Sequence, residues 1–66
     1  MFATRLKETR IENKYSQTDL ACKLGVSKQN ISDWENGRSE TNFEMLCKIA
    51  KLFGVTTDFL LGLSEY

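Results

Sequence analysis

The side chains best equipped for chemistry lie between Ser16 and Arg38, and that chemistry is paired hydrogen bonding rather than bond breaking. Lys28, Gln29, Ser32, Asp33 and Asn36 crowd a short stretch whose only large apolar residues are Ile31 and Trp34. An amide offers both an acceptor and N–H donors, so Gln and Asn can hold the N6/N7 edge of adenine. A lysine ammonium donates instead to guanine O6 and N7. Covalent and acid–base chemistry finds no such support. Histidine is absent, and no glycine-rich phosphate loop or paired metal ligands stand in the chain. This composition leaves an ordinary enzyme without its usual general base, and we expect neither a metal nor a cofactor.

At about 100° per residue, Ile31 and Trp34 mark the buried side of a helix that begins after Ser27. Gln29 and Asn36 then lie opposite, with Ser32 and Asp33 next to them and Lys28, Asn30 and Glu35 on the flanks. Polar residues on an outward face need no explanation beyond solvation. What precedes this helix changes the reading. Ser16-Gln17-Thr18-Asp19 is a capping box, and it opens a helix that runs to Leu24 and stops at Gly25. Only Gly25-Val26-Ser27 separates the two helices, a joint that sets them at roughly 90–120° as a helix-turn-helix. Ala21 supplies the small residue such a crossing needs, and Gly25 the backbone freedom at the corner. Leu20, Leu24, Val26, Ile31 and Trp34 supply its apolar anchors.

The remaining elements are helical too. Phe2, Leu6 and Thr9 form a stripe on a first helix over 2–13, ended by Asn13-Lys14, where Asn tolerates the left-handed region. Thr41-Asn42-Phe43-Glu44 reads as a second capping box opening a fourth helix, with Phe43, Leu46, Ile49, Ala50 and Phe53 facing inward. Gly54 ends it, and Thr56 caps a last short helix bearing Phe59, Leu60 and Leu63. The expected fold is all-α, five short helices in one domain spanning 1–66. At 66 residues and 41 % hydrophobic, the chain has material for a single core of modest stability. Net charge is zero, but residues 1–38 carry two more bases than acids and residues 39–66 two fewer. No stretch reaches the ~18 apolar residues of a membrane span, and no secretory signal pattern is present. Two cysteines, Cys22 and Cys47, without metal-ligand company read as reduced thiols of a cytoplasmic protein.

The run from Ser16 through Gly25-Val26-Ser27 to Arg38, with Leu46 to Val55 and Asp58 to Leu61, resembles the helix-turn-helix family of Cro and the phage repressors. The resemblance covers about residues 5–62. It implies a lambda repressor-like domain whose third helix enters the major groove of double-stranded DNA, and a transcriptional regulator, chiefly a repressor. Lys28, Gln29, Ser32 and Asp33 become candidate base readers. Gln17, with Ser16 beside it, and Asn36 and Arg38 become candidate phosphate contacts. Arg10 and Glu35 stand where relatives form a partly buried ion pair. Three positions depart from the family pattern: a proline usual near Thr41 is missing, Lys14 replaces a usual glycine, and Asp33 would be repelled by phosphate unless it accepts from cytosine or from protein.

The C-terminal residues Phe59, Leu60, Leu61, Leu63 and Tyr66 exceed what one short helix buries internally. They read either as a lid on the core or, as the family suggests, as the contact of a two-fold homodimer on a pseudo-palindromic operator. A different functional class, an antitoxin-type protein-interaction module that regulates its own synthesis, is distinguished by co-purification with a partner chain.

Overall fold

Every helix after the first begins at a side chain that accepts from a free backbone N–H, whereas the first, preceded by Met1, has no side-chain cap. In the computed structural model, which describes residues 1–65, α1 spans Phe2–Glu12, α2 Gln17–Leu24, α3 Lys28–Glu35, α4 Phe43–Phe53 and α5 Thr57–Leu61. Ser16, Ser27, Asn42 and Thr56 each accept from the backbone N–H three residues on. Ser16 and Asp19 close the full capping box, Ser16 Oγ accepting from Asp19 N at 2.9 Å and Asp19 Oδ2 from Ser16 N at 3.1 Å. Helix α4 departs from expectation by one residue. Its cap is Asn42, not Thr41, and the residue three beyond is Met45, so no reciprocal box forms.

The close of α1 also differs from the sequence reading. Asn13 keeps φ at −90°, and the left-handed residue is Lys14, at φ +61°. Tyr15 N donates to Arg10 O at 3.1 Å and Lys14 N to Ile11 O at 2.9 Å. That pair of bonds is the Schellman close, which needs its left-handed residue at the position Lys14 holds. Gly25 plays the same part after α2 at no steric cost, with φ +71° and the bonds Val26 N to Ala21 O and Gly25 N to Cys22 O.

One aliphatic side chain from every helix is fully buried: Leu6, Leu20, Ile31, Ile49 and Leu60. Around them lie Ala21, Leu24, Trp34, Leu46 and Ala50. Helix α3 packs on α1 and α2, α4 on α2, and α5 on both α1 and α4. Burying such a side chain contributes about 1.5–3 kcal/mol, so α3 is anchored on one side while its other side stays outside. Thr9 is the one buried polar residue among those described. Its hydroxyl donates to Arg5 O at 2.7 Å, so it joins the apolar stripe without an unpaired donor.

Two expectations about the apolar residues are corrected. Phe43 is 74 % exposed: the first residue of α4, it lines an open groove with Phe2, Leu46 and Leu61 and is not in the core. Leu60 is fully buried in its own chain and has no surface left to offer a partner. Leu61 and Leu63 are exposed, while Phe59 packs partly against the core with the Arg5 guanidinium 4.5 Å from its ring centre. Tyr66 lies outside the described residues. No helix among those described is long and apolar enough to cross a membrane.

Candidate nucleic-acid interface

The corner between α2 and α3 is held from three sides. Within it, the Schellman bonds turn the chain over Gly25, and Ser27 Oγ accepts from Asn30 N at 3.1 Å to start α3. Beneath it, Leu20, Ala21, Leu24, Ile31 and Trp34 are all buried. From α4, Lys48 Nζ donates to Leu24 O at 3.2 Å, capping a carbonyl that α2 leaves open at its end. Lys48 was not foreseen. Its partner lies 24 residues away, and no local pattern announces a lysine that caps a neighbouring helix.

A second clamp fixes the far end of α3. Arg10 Nε donates to Glu35 Oε2 at 2.7 Å, and Arg10 Nη2 to Glu35 Oε1 at 3.1 Å. The two side chains are only 11 % and 3 % exposed. Arg10 Nη1 donates to Tyr15 O at 2.8 Å, and Gln17 Nε2 donates to Glu35 Oε1 at 3.1 Å. Glu35 therefore ties α3 to α1 and to the first residue of α2. A two-pronged, charge-assisted contact of this kind sets orientation as well as distance.

The outward face of α3 carries the residues expected there. Lys28 and Gln29 are exposed in its first turn, and Ser32 and Asp33 follow, half-buried. Gln29 Nε2 donates to Asp33 Oδ1 at 2.9 Å, one helical turn away. Arg38 Nη1 stands 4.0 Å from the same Oδ1, so Asp33 is turned towards its own chain. Asn36 Nδ2 donates to Ser32 O at 2.9 Å and to Ser32 Oγ at 3.2 Å. Arg38 N donates to Asp33 O at 2.9 Å, which places the arginine just past the end of α3. Ser16 is exposed at the start of α2, where the unpaired N–H groups give the helix a positive end. Its backbone N–H donates to the Asp19 carboxylate and its hydroxyl accepts from Asp19 N, and hydrogen bonding to the Ser16 backbone first, then to its side chain, holds the Asp19 carboxyl below its ordinary pKa.

Lys28, Gln29, Ser32, Asp33, Asn36 and Arg38 thus share α3 and the turn that follows it, while Gln17 approaches them through Glu35. Arg10 and Glu35 are not on this face; they hold it in place. The two cysteines are free thiols, Cys22 exposed and Cys47 half-buried. Among the described residues no cluster of His, Cys, Asp and Glu could hold a metal ion.

This arrangement has close relatives. The sequence pattern of the helix-turn-helix family matches residues 6–60. An SPbeta prophage-derived HTH-type transcriptional regulator of Bacillus subtilis, YonR, is 41 % identical over 61 residues, covering 92 % of this chain and 56 % of its own length. The chain spans about half the length of such curated relatives. Among solved structures, the P22 c2 repressor in complex with a synthetic operator superposes with a TM-score of 0.89 at 31 % identity, covering 97 % of both chains. SinR, a master regulator for biofilm formation solved in complex with DNA, superposes at 0.84 and 32 % identity over 92 % of this chain and 98 % of its own. On the family match and these likenesses, the chain belongs to the helix-turn-helix family of the Cro and phage-repressor type.

Proposed function

We propose that the chain is a sequence-specific DNA-binding regulator of transcription, a repressor that grips a pseudo-palindromic operator as a homodimer, and not an enzyme. The observation that carries this reading is the outward face of α3: amide, hydroxyl and ammonium groups on a helix whose opposite side is locked into the core. Such a helix is rigid enough to hold side chains against base edges, and the chemistry of Gln29 and Lys28 suits adenine and guanine in the major groove. Ser16, Gln17, Asn36 and Arg38 sit on either side of it and suit phosphate contacts, which fix register without reading sequence. The likeness to two regulators solved with DNA supports the same reading.

The homodimer is supported by an apolar groove lined by Phe2, Phe43, Leu46 and Leu61, with the loop residues Glu40, Thr41 and Asn42 as its wall. That loop lies one residue beyond Arg38, which itself stands just past the end of α3. A symmetric helix-turn-helix dimer presents its two recognition helices to half-sites about 34–36 Å apart. Exposed Leu61 and Leu63 belong to this reading, and free thiols fit the reducing cytoplasm. Selection of bound sequences from a random duplex pool tests the whole. Recovery of an inverted repeat with half-sites one turn apart supports it. A single half-site, or no enrichment with a foreign protein captured instead, overturns the dimeric repressor.

A further inference from the structure

The bond between Gln29 and Asp33 has a consequence for which base Gln29 can read. A primary amide carries two N–H donors and one carbonyl acceptor, and a carboxylate only accepts. Gln29 must therefore turn its nitrogen, not its oxygen, to Asp33 Oδ1 at 2.9 Å. One of its two N–H groups is consumed, and the outer edge retains one donor and one acceptor. Adenine presents in the major groove one acceptor, N7, beside one donor, the N6 amine, and matches that edge. Guanine presents two acceptors, N7 and O6, and would set O6 against the amide carbonyl. The carboxylate is itself steadied, since Arg38 Nη1 lies 4.0 Å from the same oxygen and only 29 % of the Asp33 side chain is exposed.

We propose that Asp33 is a positioning residue that makes Gln29 selective for adenine over guanine, rather than a base reader itself. The proposal rests on α3 being the recognition helix. It accounts for a carboxylate on a face that meets phosphates: its cost in repulsion is exchanged for discrimination. An unrestrained Gln29 can rotate its amide and present its N–H groups to guanine, so removing the acceptor should relax the choice without removing affinity.

The test measures binding of the full chain to four duplexes that differ only at the base pair whose preference Gln29→Ala abolishes. Wild type is expected to favour adenine. Asp33→Ala should lower the adenine-to-guanine affinity ratio by about fivefold or more, the worth of one ordinary hydrogen bond. Asp33→Asn offers Gln29 an N–H as well as a carbonyl, so it no longer dictates which way the Gln29 amide lies and should lower the ratio too, whereas Asp33→Glu keeps a group that only accepts and should retain it. Asp33→Ala and Asp33→Asn should bind all four duplexes more tightly at low salt, because an acidic group beside the phosphates is gone. Circular dichroism checks that each variant is folded; Asp33 lies on an accessible face where alanine suits a helix. If Asp33→Ala leaves the ratio unchanged while Gln29→Ala abolishes it, the positioning role is wrong and the recognition helix stands. If Asp33→Asn retains the ratio that Asp33→Ala loses, or Asp33→Glu loses it as Asp33→Ala does, an acceptor-only partner is not what orients Gln29, and the proposal falls. If Gln29→Ala changes no base preference at all, the assignment of Gln29 as a reader falls with it.

Discussion

Replacing Glu35 by alanine should destabilise the chain about as severely as truncating a core side chain of α3, although the residue faces no base. Three side-chain N–H groups converge on its carboxylate, two from Arg10 and one from Gln17, at 2.7, 3.1 and 3.1 Å. With the Arg10 and Glu35 side chains 11 % and 3 % exposed, water cannot replace what is removed. Arg10 would keep only its bond to Tyr15 O and remain a buried cation. Breaking a buried pair from one side costs about 3–5 kcal/mol. A domain of this size rarely holds more than ~3–5 kcal/mol in total, so Glu35→Ala should be largely unfolded at ambient temperature. The pair as a whole is a different matter, because its attraction is offset by the desolvation of both ions. The double replacement Arg10→Met with Glu35→Leu should stay within about 1 kcal/mol of wild type or exceed it. The assay is urea denaturation followed by the fluorescence of Trp34, the only tryptophan, which lies buried on α3 beside this clamp. A Glu35→Ala chain that folds within about 1 kcal/mol of wild type would refute the reasoning, as would a double variant as unstable as the single one.

Lys14→Gly should raise the melting temperature, because a left-handed lysine costs about 1–2 kcal/mol and glycine gives back at most ~1 kcal/mol of that through unfolded-chain entropy. A rise of roughly 2–6 °C in calorimetry is expected for a domain of this size, and a fall would show that φ +61° carries no strain. Phe43→Glu should convert dimer to monomer in sedimentation at tens of micromolar without loss of helix content, since the side chain is 74 % exposed; an unchanged dimer would move the interface elsewhere. The Asp19 carboxyl should titrate below its ordinary value, held there by the Ser16 backbone N–H and hydroxyl. A depressed carboxyl stabilises the fold above its unfolded pKa, and that contribution is lost as pH falls through the folded pKa. NMR titration should show the depression vanish in part in Ser16→Ala; an unchanged Asp19 would locate its cause outside the cap.

What was legible in the chain was what is decided locally. Ser16 with Asp19, Ser27, and Gly25 act within four residues of themselves, so the two helices and the corner between them could be read directly. The angular reading of α3 also survived, because Ile31 and Trp34 lie on a short helix with packed neighbours on that side. Periodicity failed where it met an edge. Phe43 shares a stripe with Leu46 and Ile49, but an angle around a helix axis says nothing of whether its first residue reaches the core. In α5, which ends at Leu61, the stripe of Phe59, Leu60 and Leu63 ran past the helix: Leu60 is buried, but Leu63 lies beyond Gly62 and is exposed. Asn13 and Lys14 competed for one left-handed position, and the register of the Schellman bonds decided it against residue preference. Gln17 with Glu35 and Lys48 with Leu24 are joined across 18 and 24 residues by tertiary packing alone.

The central claim is that α3 reads bases and the turn after it holds phosphate. Fluorescence anisotropy on a selected operator and a scrambled duplex, across a salt series, tests it most directly with wild type, Gln29→Ala and Arg38→Ala. Wild type should separate the two duplexes widely, because a chain of zero net charge has little general attraction for DNA. Gln29→Ala should lose about 1–3 kcal/mol on the operator and little on the scrambled duplex, with its salt slope unchanged. Arg38→Ala should weaken both and lower the slope of log K against log salt by about one per subunit. Equal losses on both duplexes for Gln29→Ala, or no effect of either substitution, would contradict the account.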